Sequence, residues 1–225
     1  MVEKRKSAAI LVVILSVLSL STLTACADFF VSNSSVDHVS LSATAVVLSS
    51  NISGAAQSVA MSATAVSVGG NSTDVTSTAT WASSNSAIAS VDATGKVTAV
   101  AAGTATISAT SGGAAGQATV IVVAGSIGTF ASTPGSVNLH TSTGPITQQL
   151  TATLATGSGS VDLTQIATWT SDNTSVATVD VNGLVRGIII TTNVLGTVGT
   201  AKVTATIQLA AGTTTATSNI SVDPL

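Results

Sequence analysis

Two histidines, eight aspartates and one cysteine are the side chains past residue 6 with which this chain could move protons, hold a metal or attack an electrophile. His38 and His140 sit in no metal-ligand or nucleophile spacing, and both read as solvated loop residues. The one glutamate is Glu3, and the aspartates are scattered along the chain. The paired carboxylates that glycoside hydrolysis requires cannot be argued from such a set. Asp92 and Asp180 each open a short turn and could place a single carboxylate on calcium, an ion that takes about six to eight oxygens, several of them from carboxylates. They read instead as turn caps. Lys96, Arg186 and Lys202 are the bases after residue 6, a poor supply for internal Lys–Asn links. One cysteine excludes a disulfide within the chain. Asn-x-Ser/Thr triplets at Asn33, Asn51, Asn71, Asn173 and Asn219 are chance products of a sequence so rich in Ser and Thr. The expectation is a protein with no enzymatic activity, no metal and no cofactor.

Cys26 has a different chemistry. Lys4, Arg5 and Lys6 precede an apolar run from Ala8 to Ala25, AAILVVILSVLSLSTLTA, which ends at the cysteine. A basic stretch, an apolar stretch and a small-residue cleavage site form an export signal. The final residues, Leu23-Thr24-Ala25-Cys26, resemble the lipobox of bacterial lipoproteins. The resemblance implies that residues 1–25 are a signal peptide and that Cys26 carries lipid through a thioether as the new N-terminus. The alternative is an uncleaved anchor. The run is near the lower limit for a membrane span, and Ser16, Ser19, Ser21 and Thr22 weaken it. In both cases the rest of the chain is exported and tethered. Ala27 follows the cysteine and Asp28 comes next, which by resemblance to lipoprotein sorting rules favours the outer membrane over the inner. Residues 26–36 read as the lipidated cysteine and a tether.

Composition bounds the remainder. Residues from 27 on carry three bases against eight aspartates, a formal charge of −5. The whole chain is 7% charged and 2% aromatic, with no Tyr, where a soluble domain averages about 25% charged. A nucleic-acid partner is excluded, because there is no basic patch and no aromatic platform. Abundant Val, Ile and Thr fit a pleated surface. Thr104 to Thr110 alternates hydroxyl and apolar residues, as do Gln117 to Val123 and Ala201 to Leu209, with Ala105, Ile107 and Ala109, then Ala118, Val120 and Val122, then Ala201, Val203, Ala205, Ile207 and Leu209 on one face. Ile220 and Val222 close the last strand.

The chain also repeats itself. Residues 79–97 read ATWASSNSAIASVDATGKV, and residues 167–185 read ATWTSDNTSVATVDVNGLV. Trp81 and Trp169, Asn85 and Asn173, Asp92 and Asp180, and Gly95 and Gly183 each keep one constant offset, which makes a tandem of two like domains. The spacing predicts domains over 37–124 and 125–225, each an antiparallel β-sandwich with its tryptophan buried as a core plug. Asp92-x-x-Gly95 and Asp180-x-x-Gly183 are hairpin turns, the glycine supplying a positive φ.

The run T-W-x-S-x-N-x-x-[IV]-A-x-V-D-x-x-G-x-V, followed by G-T-A, resembles the bacterial immunoglobulin-like domain, group 2. It spans Thr80 to Ala105, and then Thr168 to Val185 with Gly199 to Ala201. The resemblance implies an all-β chain of two tandem Ig-like sandwiches, of a kind found on bacterial surface proteins that include adhesins. The copies differ between Gly183 and Gly199, where the second carries about eight more residues than the first has between Gly95 and Gly103. Ile189, Ile190, Asn193, Val194 and Leu195 in that insertion are candidates for a contact loop. The alternative there is a lengthened hairpin packed on its own domain. Two functions follow: adhesion to, or binding of, a protein or glycan partner, or a structural spacer with no specific ligand.

Overall fold

The computed structural model describes residues 35–50, 57–140, 146–188 and 198–223. The candidate loop residues Ile189, Ile190, Asn193, Val194 and Leu195 lie outside them, as do Cys26 and the signal run. The described residues hold twenty strands, ten in each half, in the same order. The first ten are β1 (Val36–Leu41), β2 (Ala45–Ser49), β3 (Ser58–Ala60), β4 (Ala63–Ser67), β5 (Ser72–Asp74), β6 (Thr80–Ser83), β7 (Ala89–Val91), β8 (Lys96–Ala99), β9 (Gly103–Ser111) and β10 (Ala114–Val123). The second ten are β11 (Ile127–Thr133), β12 (Ser136–His140), β13 (Thr147–Gln149), β14 (Thr151–Thr156), β15 (Gly159–Asp162), β16 (Thr168–Ser171), β17 (Ala177–Val179), β18 (Leu184–Gly187), β19 (Gly199–Leu209) and β20 (Gly212–Asp223).

Both halves close the same sandwich. In the first, β1 pairs with β4 and β4 with β5, and β3 pairs with β8 and β8 with β7, all antiparallel. Opposite them lie β6, β9, β10 and β2, the last pair parallel. The second half repeats every pairing with β11 to β20. A first strand that bonds to one sheet and then, after a short break, to the other is what lets two sheets share an edge. The chain is all-β in these residues, as the alternating pattern predicts.

Alternation also fixes which residues meet. In a strand, successive side chains point to opposite faces, and Ala105, Ile107, Ala109, Ala118, Val120 and Val122 are buried together in the first module. Ala201, Val203, Ala205, Ile207, Ile220 and Val222 do the same in the second. The outer face of the second module carries threonines in ranks. Thr170, Thr204 and Thr217 lie side by side across three strands, as do Thr168, Thr206 and Thr215.

The halves are not separate beads. Residues from Val36 on form one compact unit. Strand β19 runs past the end of β16 and pairs Leu209 with Val47 of β2, so one sheet passes from module to module.

Candidate functional site

The repeated motif is where sequence and geometry meet most closely, and its side chains bond within the fold. Trp81 Nε1 donates to the Thr76 carbonyl at 2.9 Å, and Trp169 Nε1 donates to the Thr164 carbonyl at 3.0 Å. The same threonines hold the opposite sheet: Thr76 Oγ1 accepts from Ala63 N and Thr164 Oγ1 from Ala152 N, each at 2.9 Å. Asp74 and Asp162 hold these threonines in turn, each accepting from the backbone N two residues on at 2.8 Å. Ser83 and Ser171 donate to the Ala89 and Ala177 carbonyls at 2.6 and 2.7 Å. The two hairpin turns are also alike. Asp92 Oδ1 accepts from Thr94 N, Thr94 Oγ1 and Lys96 N, and Asp180 Oδ1 from Asn182 N and Leu184 N.

Gly95 and Gly183 are required twice over. Each has φ near +79°, where L side chains are strained. Each also lies under its tryptophan. A Cβ on Gly95 would sit 2.4 Å from the Met61 carbonyl oxygen and 2.7 Å from the Trp81 ring. One on Gly183 would sit 2.8 Å from the Leu150 carbonyl oxygen and 2.9 Å from the Trp169 ring. The Met61 and Leu150 amides donate to these glycine carbonyls at 2.9 Å. Trp, Asp-x-Thr and Asp-x-x-Gly are therefore one closure that ties the two sheets together. Asp-x-Thr is the part that the Trp and Asp-x-x-Gly pattern does not announce. Its signal is nonetheless in the chain, because Asp74-Val75-Thr76 and Asp162-Leu163-Thr164 keep the same offset as the tryptophans.

Two expectations need correction. Trp169 is buried at 8% exposure, but Trp81 is half-buried. Its strand, β6, ends the order of the shared sheet. Both histidines lie on strands rather than loops: His38 on β1 and His140 at the end of β12. Each is exposed and paired with a carboxylate, His38 Nδ1 to Asp37 at 2.9 Å and His140 Nδ1 to Asp223 at 2.7 Å. They occupy outward positions of first-strand segments.

Among the described residues no group of three or more His, Cys, Asp or Glu could hold a metal ion. Open clefts lie on the surface of the described residues. One, of about 380 Å³, lies on the outer face of the second module with Asn138, Asp172, Lys202, Asn219 and Ser221 in its lining. Another, of about 170 Å³, lies where the modules meet and includes Thr44, Val47, Ile166, Thr206 and Gln208. A further depression lies beside Ile146, Thr178, Arg186 and Ile188.

The turn carboxylates make stability pH-dependent. Hydrogen bonds, first from the threonine side chain and then from the backbone, hold Asp74, Asp92 and Asp162 below the usual aspartate value. Groups lowered on folding add stability that is present above their unfolded value, near 3.8, and lost as pH falls through the folded value. Thermal melts should thus be flat from neutral pH down to about pH 5, then fall toward pH 2. Asp162→Asn should lower the neutral-pH Tm and flatten that acid limb; an unchanged limb would mean other groups set it.

Residues 35–122 match the sequence model of the bacterial Ig-like domain (group 2). Ice-binding protein 1 of Shewanella frigidimarina (strain NCIMB 400) is 30% identical over 128 residues, covering 56% of this chain and 14% of that protein. The chain thus spans a small part of the curated relative it matches. Among solved structures, the S-layer protein SbsC is 22% identical with a TM-score of 0.33, covering 84% of this chain and 28% of that one. Protocadherin gamma C5 EC1-3 is 13% identical with a TM-score of 0.34, covering 83% and 68%. Residues 35–122 of this chain belong to the bacterial Ig-like domain family, group 2.

Proposed function

We propose that this chain is an envelope-anchored surface protein without enzymatic activity, whose Ig-like pair acts as a stiff arm that presents a binding surface away from the membrane. The observation that carries this reading is the joint. Three residues, Ala124 to Ser126, separate β10 from β11, and each of their carbonyls is bonded. Ala124 O accepts from Ser158 Oγ at 3.1 Å, Gly125 O from Ser49 Oγ at 2.5 Å, and Ser126 O from Gly157 N at 2.9 Å. An arm needs such a link, whereas a freely hinged linker needs none of these bonds. Membership of residues 35–122 in a bacterial Ig-like family supports a place outside the cytoplasm, as does the relative named for ice binding. Lipid on Cys26 supplies the anchor, in the outer membrane. A protein or glycan partner is the class we assign to the presented surface, with the insertion at 188–198 as its contact.

Metabolic labelling with a palmitate analogue should mark the chain, and replacing Cys26 by serine should abolish the mark, because the thiol sulfur is the atom that carries the lipid. Protease treatment of intact cells should remove the unaltered protein. Labelling of the serine variant equal to that of the unaltered chain would overturn the lipid anchor.

A second reading is contact with ice by the chain itself, favoured by the relative's name and by the threonine ranks. Strands about 4.8 Å apart with side chains repeating every two residues set hydroxyl and methyl groups in a regular array. The purified protein should then slow ice recrystallisation, and Thr206→Lys should abolish the effect. Equal recrystallisation with and without protein would leave the arm as the sole role.

A further inference from the structure

The joint does more than restrict motion. Strand β2 is buried on both faces from Val46 to Ser49, and β10 has Val120, Val122 and Val123 buried with Ile121 half-buried. Alternate residues of these strands serve different cores. Val46, Leu48, Val120 and Val122 belong to the core of the first module. Val47 and Val123, with Ile121 packed beside them, belong to the core of the second. They point outward from the first sandwich, and the second covers them. The exchange is mutual: Ala210, in the turn that follows β19, packs against the core of the first. Around this contact the backbone leaves no slack. A Cβ on Gly125 would meet Gly157 at 3.2 Å, and Ser49 is fully buried with its hydroxyl on Gly125.

We infer that the second module completes the core of the first, so that the pair folds and unfolds as one cooperative unit through the Val47–Ile121–Val123 patch. Tandem domains with small polar interfaces are expected to move and melt separately. Here the first module alone would expose a contiguous apolar patch on its sheet face. This inference goes beyond the arm reading. A stiff joint between independently stable modules would keep the arm and sink the coupling.

The two tryptophans allow a direct test, since each module holds one. In the full chain, Trp169→Phe leaves a reporter in the first module and Trp81→Phe leaves one in the second. Thermal unfolding followed by fluorescence reads one module, and far-UV circular dichroism reads both. Coupling predicts coincident curves in each single-tryptophan protein. A biphasic circular dichroism curve, with the two steps about 5 °C or more apart, would overturn it. Val47→Thr with Ile121→Thr, placed in both reporters, should split the transitions. Curves that stay coincident in that double variant would show that the patch is not what couples the modules. Val47→Thr alone, milder and safer for folding, should produce a smaller separation in the same direction.

Discussion

Gly95→Ala is expected to destabilise the protein by about 2–5 kcal/mol, combining roughly 1–2 kcal/mol for a positive φ with roughly 1–3 kcal/mol for overpacking. The site cannot relax easily. One obstruction is the Met61 carbonyl oxygen, 2.4 Å from the new Cβ, and backbone gives way less readily than a side chain. The other is the Trp81 ring, 2.7 Å away, itself held by its bond to Thr76. A control is built into the fold. Gly70 has φ of 80°, and a Cβ added there would meet nothing within 4 Å. Gly70→Ala should therefore show the conformational cost alone, about 1–2 kcal/mol. The difference between the two variants isolates the collision. Thermal melts should register the Gly95 change as a fall in Tm on the order of 10 °C. Equal effects at both glycines would mean that the tryptophan closure does not govern the turn.

Trp169→Ala is expected to cost about 3–5 kcal/mol, the range for removing a buried large aromatic. The ring is among the buried residues of the second core, and its loss also removes the donor to the Thr164 carbonyl. Trp81→Ala should cost clearly less, because Trp81 is only half-buried. The order of the two is the discriminating result. Chemical denaturation of both variants measures it, and a larger loss at Trp81 would contradict the burial difference.

Much of the fold is legible because the sequence encodes it locally. Period-two alternation in Thr104–Thr110 and Ala201–Leu209 identifies the faces that the structure buries. Asp92-x-x-Gly95 and Asp180-x-x-Gly183 mark hairpins that join β7 to β8 and β17 to β18. The features that are not legible depend on partners distant in sequence. Val46-Val47-Leu48 and Val120 to Val123 are continuous apolar runs, the signature of strands covered on both faces. Alternation by itself implies burial on one side only, and nothing local says that a second module caps the outer face. Trp81 and Trp169 look identical in sequence, and their strands each pair with a single neighbour, yet Trp169 is buried and Trp81 half-buried. The insertion that distinguishes the copies lies between β18 and β19.

The duplicated motif thus ties sheets together, and the joint ties modules together. Both serve an arm. The most direct test is a distance distribution between spin labels placed at equivalent turns, Ala93→Cys in the first module and Val181→Cys in the second, in the full chain carrying Cys26→Ser. Both positions are exposed. Pulsed electron paramagnetic resonance should give a single narrow distribution, and it should broaden when Val47 and Ile121 are both changed to threonine. A broad or multimodal distribution in the chain with an unaltered joint would contradict the stiff arm.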